Sequence, residues 1–270
     1  ACAAALPCVF ALGLLRRSPG PFNNETIQLA ARAAQMLRRS SNNMLKYRDP
    51  AGGFCLYPWR GGISIASVQI TAHALLVLGE WEREQPGSFD ASMMELAENF
   101  VLANAGKNMM NWGWGYSAEE RKASPWLCND ETVTAHICWC VLQGDGNVGS
   151  QLRALARDCL YQLLELCCKA DGPCNTNPCI VAQILLCLLA MGDKDSSAKV
   201  LPLLATFQCK DGSCRPTELE TRGGKSWQTW TGSCGMSRVS ETTALCAQAW
   251  LRASQLHTEW GACDGQARQA

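Results

Sequence analysis

Apolar residues recur three to four positions apart in segments at about 4–17, 24–46, 65–84, 90–105, 130–143, 150–169, 177–191, 195–208 and 238–256, a period that predicts helices. Strict alternation is nowhere sustained, so the pattern points to an all-α chain. Several predicted starts carry residues whose side chains can accept from orphan amides. These are Asn23 or Asn24 before Glu25, Asp90 before Ala91, Asn129 and Asp130 ahead of Glu131, and Ser240 beside Glu241.

Stacking the segments exposes an internal repeat. Ile70-Thr71-Ala72-His73-Ala74-Leu75, Val133-Thr134-Ala135-His136-Ile137-Cys138, Ile180-Val181-Ala182-Gln183-Ile184-Leu185 and Thr242-Thr243-Ala244-Leu245-Cys246-Ala247 share a β-branched residue, then Ala, then any residue, then apolar positions. The shared alanines lie 63, 47 and 62 residues apart, and three of the four helices follow a loop rich in glycine and aromatic residues. Those loops run from Asp49 to Gly62, from Trp112 to Trp126, and from Gln208 to Gly235. A repeat of two helices in about 50 residues cannot bury its apolar face alone, so neighbours must stack or close into a ring. One domain of paired helices over residues 1–270 is expected, with Ala72, Ala135, Ala182 and Ala244 buried where helices approach.

Composition narrows the function. The chain is 47% hydrophobic and 18% charged, enough to bury a large core, and 24 basic residues balance 24 acidic ones. Net charge therefore supplies no general attraction to nucleic acid or to an anionic membrane. No apolar run reaches the roughly 18 residues of a membrane span, and the nearest, Ala1 to Leu15, is interrupted by Pro7 and Gly13. Arg16 and Arg17 follow that run instead of preceding it, so it reads as a helix of the mature fold and not as a secretory signal, in a chain expected to be a fragment. Of the 17 cysteines, Cys138, Cys140, Cys159, Cys167, Cys168, Cys187 and Cys246 fall inside apolar helical runs and read as packed thiols. The loop pairs Cys174 with Cys179 and Cys209 with Cys214 are the better disulfide candidates.

The ordered pieces resemble the α/α-toroid superfamily of prenyltransferase β subunits and terpenoid cyclases, and within it the thioester-containing domain of bacterial alpha-2-macroglobulins. The resemblance rests on Pro7-Cys8-Val9-Phe10-Ala11-Leu12-Gly13-Leu14-Leu15, Asp49-Pro50-Ala51-Gly52-Gly53-Phe54, Ile70-Thr71-Ala72-His73-Ala74-Leu75 and Val133-Thr134-Ala135-His136. It continues through Gln208-Cys209-Lys210-Asp211-Gly212 and Glu241-Thr242-Thr243-Ala244-Leu245-Cys246-Ala247. It implies an α/α toroid in a periplasmic or extracellular protein. Two departures bear on activity. The family's thioester cysteine would lie upstream of Ala1, and Cys2 is followed by Ala3-Ala4-Ala5 where Glu-Gln would supply the acyl group, so no thioester is expected. Beyond Glu241 the family continues into a further repeat, whereas here Ala262 to Arg268 begins such a helix, which implies an incomplete ring whose first helix (Leu6, Val9, Phe10, Leu14, Leu15) lacks cover.

Candidate chemistry is sparse. His136 and Cys140 share a helix face at i, i+4, and both residue types ligate zinc. The related prenyltransferase subunits take further ligands from an Asp-x-Cys that this chain lacks, so a core histidine beside packed thiols is the weightier reading. Cyclase acids of the Asp-x-Asp-Asp type are also missing. Glu131 and Glu241 occupy equivalent repeat positions but suit helix starts, where the macrodipole favours carboxylates. Trp112, Trp114, Tyr116 and Trp126 form a candidate binding surface, against the plainer reading that they pack their loop on the helices. The expectation is a module without catalytic residues, cofactor or metal, acting through contacts with a partner protein, the remaining macroglobulin domains or a second copy of itself. The alternative is a prenyltransferase- or cyclase-like toroid enzyme.

Overall fold

The computed structural model describes residues 45–55, 65–84, 86–87, 91–107, 110–116, 130–143, 148–169, 177–215, 235–257, 260 and 265–267, together with helical positions Gln28, Ala31, Arg32 and Gln35. Helices dominate these residues, as the periodicity predicts. The predicted first helix and its residues Leu6 to Leu15 lie outside the described chain. The chain divides into two compact units, residues 1–105 with 144–152, and residues 106–143 with 153–270. The first break falls at Gly106, whose φ of 71° lets the chain turn away after a helix.

The first unit holds strands β1 (Phe54–Cys55) and β2 (Ala66–Ser67) and helices α1 (Val68–Glu84) and α2 (Ala91–Ala103). β1 and β2 pair antiparallel, Phe54 opposite Ser67 and Cys55 opposite Ala66. Two residues are too few for alternation to register in the sequence. Ahead of β1 the chain folds into a tight hairpin in which the Asp49 amide donates to Gly53 O at 2.9 Å and the Gly52 amide to Asp49 O at 3.1 Å. Gly52 is required there, since its φ is +95° and an added Cβ would sit 2.5 Å from the Leu96 carbonyl oxygen of α2. α1 packs on α2 and is buried continuously from Thr71 to Gly79. Gly149 stays with this unit through its amide, which donates to Glu98 Oε2 at 3.0 Å. Burial raises the Glu98 carboxyl above its ordinary range, and the Gly149 amide partly offsets this.

The second unit comprises α3 (Asp130–Gln143), α4 (Ser150–Cys167, from Arg153 onward), α5 (Pro178–Met191), α6 (Lys194–Ala205) and α7 (Gly235–Leu256). α5 is its hub and packs against α3, α6 and α7. Asn177 starts it, Oδ1 accepting from the Cys179 amide at 3.0 Å, with Pro178 in the first turn, where a missing N–H costs nothing. Gly192 ends it in left-handed conformation, φ 73°, while the Asp193 amide returns to Leu188 O at 3.0 Å. Asp193 then caps α6 by accepting from the Ser196 amide at 3.0 Å. α4 and α7 bury one face each, Leu152, Ala156, Cys159, Leu160 and Leu163 in the former and Thr242, Leu245, Cys246, Ala249 and Ala253 in the latter.

Two expectations need correction. Ser240 does not begin a helix: α7 starts at Gly235, and Ser240 is an exposed residue within it. Ala72, Ala135 and Ala182 are buried, but Ala244 is exposed. The buried face of α7 is set by Thr243, Cys246 and Trp250, and Ala244 lies about 100° round the helix from Thr243.

Candidate functional site

The repeat signature marks a joint between loop and helix. At each of the three loop-preceded helices, the threonine before the shared alanine accepts a hydrogen bond from a loop amide. Phe54 N donates to Thr71 Oγ1 at 2.8 Å, Trp114 N to Thr134 Oγ1 at 2.9 Å, and Cys214 N to Thr243 Oγ1 at 3.0 Å. The hydroxyls of Thr71 and Thr134 donate onward, to Ser67 O at 2.7 Å and to Trp114 O at 2.8 Å. All three threonines are buried, so each satisfies a loop amide that water cannot reach. Approach is close enough to demand glycine at the middle joint, where a Cβ on Gly113 would lie 2.6 Å from Thr134 Oγ1. The fourth repeat helix, α5, carries Val181 at this position and is capped by Asn177 instead. The sequence pattern marks a β-branched residue here and gives it no role. The missed signal is that the position is Thr after each of the glycine-aromatic loops and Val at the helix without one.

His136 and Cys140 lie one turn apart on α3, with candidate ligand atoms within 4.8 Å of each other. His136 is half-buried, its Nδ1 lies 3.3 Å from Gln183 Nε2 on α5, and its ring is 5.5 Å from that of Trp139. Gln183 is buried, and its Oε1 has no hydrogen-bond partner among the described residues. Sequence reading did not identify this glutamine as the partner of His136. Burial, and secondarily the nearby Cys187, push the Cys140 thiol well above its ordinary value. Cys138 is raised likewise by burial first, its Sγ donating to Ala156 O at 3.2 Å, and burial raises Cys187. Cys159 is pushed up to about 11 by burial, partly countered by a hydrogen bond from the Gly113 backbone. These thiols are protonated near neutral pH and behave as small apolar groups.

A zinc ion takes four ligands, and His136 and Cys140 would be two of them, with the proton of a buried thiol to displace. The Gln183 contact at Nδ1 would leave Nε2 to coordinate. In the first unit, burial lowers His73 to about 4, so its imidazole is neutral.

Of the candidate aromatic surface, Trp114 fits the plainer reading that these rings pack their loop on the helices. Trp114 is fully buried beneath its joint and offers no ring face, whereas Trp112 and Tyr116 are half-buried. Trp126 lies outside the described residues, as does Cys174. Cys209 and Cys214 are separate thiols, half-buried and buried. Glu131 is half-buried in the first turn of α3, whereas Glu241 is exposed within α7. Among the described residues no helix is long and apolar enough to cross a membrane. No family model matches the chain, and no curated protein matches its sequence.

Proposed function

We propose that the chain is an α/α-toroid module of the macroglobulin thioester-domain type, lacking the thioester, which acts by protein contact within an endopeptidase-inhibiting or defence protein outside the cytoplasm. The observation that carries this reading is the repeated threonine-locked joint, which commits three polar side chains and three glycine-rich loops to holding helix pairs in place. Asp49 serves the same end, accepting from the Gly53 amide at 3.0 Å, as do Asn177 and Asp193 at the ends of α5 and α6. A scaffold of this kind presents surfaces, and its partners are the neighbouring domains of its parent protein and a protease.

The test mixes the purified chain with serine and metallo-endopeptidases and follows complex formation by size-exclusion chromatography with light scattering, alongside methylamine treatment. Expected are a complex that detergent dissociates, no methylamine adduct and no released thiol. A one-equivalent adduct with thiol release overturns the missing thioester, and failure to bind either protease class overturns the inhibitor context.

A second reading, a metal-dependent toroid enzyme, is favoured by the proximity of His136 and Cys140. Stoichiometric zinc in the purified protein, lost in Cys140→Ala, would support it.

A further inference from the structure

Two residues beyond Thr134 on α3 stands His136, and two beyond Val181, which takes the threonine's place on α5, stands Gln183. The repeat brings these equivalent positions together, Gln183 Nε2 lying 3.3 Å from His136 Nδ1. One turn further along α3 is Cys140, and the ligand atoms of His136 and Cys140 lie within 4.8 Å of each other. An ion with bonds of the length zinc makes to nitrogen and sulfur, about 2.0 and 2.3 Å, spans about 4.3 Å when it is linear and less when bent. The pair on α3 is thus spaced to share one ion. Solvent reaches it from the imidazole side, because His136 is half-buried while Cys140 is buried.

Gln183 supplies a second, independent observation. It is 2% exposed, it is aimed at the ring, and its Oε1 has no hydrogen-bond partner among the described residues. Turning the amide over brings Oε1 to Nδ1, where it accepts the ring N–H and acquires the partner it otherwise lacks. That proton position makes Nε2 the basic nitrogen. A metal-ligating histidine is ordinarily held in this way, its other N–H given to a carbonyl or carboxylate behind it.

Charge selects the ion. No carboxylate joins this cluster among the described residues, so one thiolate is the only negative charge that His136 and Cys140 can offer. A divalent ion would leave a net positive charge against a buried sulfur, whereas a monovalent ion and a thiolate cancel. Thiolate with imidazole is also a soft donor set, which suits copper(I), an ion content with two ligands. We propose that His136 Nε2 and the Cys140 thiolate bind copper(I), with Gln183 holding the imidazole from behind. On binding, the S–H bond of Cys140 breaks, the S–Cu bond forms and the proton leaves to solvent. Copper stays in its +1 state and nothing is oxidised. The site stands apart from the scaffold reading and sets a different ion against the zinc-enzyme reading of the same pair.

The experiment adds copper(I), as its acetonitrile complex under argon, to the full chain labelled with ¹⁵N-histidine. The chain has three histidines, so the spectrum is simple, and His136→Gln identifies the ring of interest by its absence. The expected result is a shift of the His136 Nε2 signal with Nδ1 at a protonated position, both reached at saturation and both lost in Cys140→Ser and Cys140→Ala. Zinc sulfate at the same concentration should leave the signal in place. No movement of His136 with copper(I), or movement that persists in the Cys140 variants, overturns the site. A full shift with zinc overturns the choice of a monovalent ion and favours the enzyme reading instead. If neither Cys140 variant folds, the wild-type copper(I) and zinc titrations decide between these outcomes.

Discussion

The joint in front of α1 and the joint in front of α7 are built on one backbone plan and filled differently. In the first, Asp49 N reaches Gly53 O and Gly52 N reaches Asp49 O; in the second, Cys209 N reaches Ser213 O at 2.8 Å and Gly212 N reaches Cys209 O at 2.9 Å. Each turn has a glycine at positive φ, 95° at Gly52 and 84° at Gly212, and each ends on an amide held by a threonine. Yet Phe54 and Ala72 are buried in the first, where the second has a buried Cys214 and an exposed Ala244. Hydrogen bonds and glycine therefore define the joint, while the side chains that fill it vary with how many neighbours the helix has. α1 is buried along its upper length, and α7 shows one face to solvent.

That difference makes its largest mark at the filling residue. Phe54→Ala removes a buried ring and is expected to cost about 3–5 kcal/mol, whereas Cys214→Ala should cost about 1 kcal/mol, both read from denaturant midpoints. Comparable losses would show that the second joint depends on its side chain as much as the first. Next comes pH. His73 follows Ala72 and titrates near 4 when folded, below the 6.5 of an unfolded histidine. The unfolded chain thus binds the proton first as pH falls, and stability is lost from about pH 6.5 down to about 4, by up to about 3 kcal/mol. His73→Gln should flatten that slope in thermal melts, and an unchanged slope would assign it to other groups.

Thr71→Val and Thr243→Val each orphan a buried amide and should cost about 1–3 kcal/mol, equal within error if the plan is shared. A loss at Thr71 alone would mean that the second joint does not rely on its threonine. The smallest effect separates the alanines: Ala72→Leu overpacks and should cost about 1–3 kcal/mol, while Ala244→Leu should stay within about 0.5 kcal/mol.

The helices were legible because each presents apolar residues at the helical period, and the capped run from Asn177 to Gly192 is readable almost to the residue. The strands were not, since a two-residue ladder leaves no alternation to detect. Thr134 and its counterparts were noticed as a pattern, but a hydroxyl that satisfies a distant loop amide cannot be told from a β-branched filler without knowing which loop lies over it. Trp114 shows a related ambiguity, as glycines flanking an aromatic suit an open platform and a tucked-in wedge equally well, and its burial decides for the wedge. Ala244 failed because a repeat fixes position within a helix but not how many neighbours surround it. The pairing of His136 with Gln183 joins residues 47 apart and carried no local signal.

α5 is stoppered at both ends and enclosed on every side from Ile180 to Leu189. Its amides have no route to water by fraying or by local opening, so they exchange with deuterium only when the whole second unit comes apart. The exchange rate at Ile184 and Leu185 should then report the global unfolding free energy of that unit, while exposed turns such as Lys210–Asp211 exchange orders of magnitude sooner. A helix first noticed for lacking a glycine-rich loop thus becomes the clock by which the stability of its surroundings can be read.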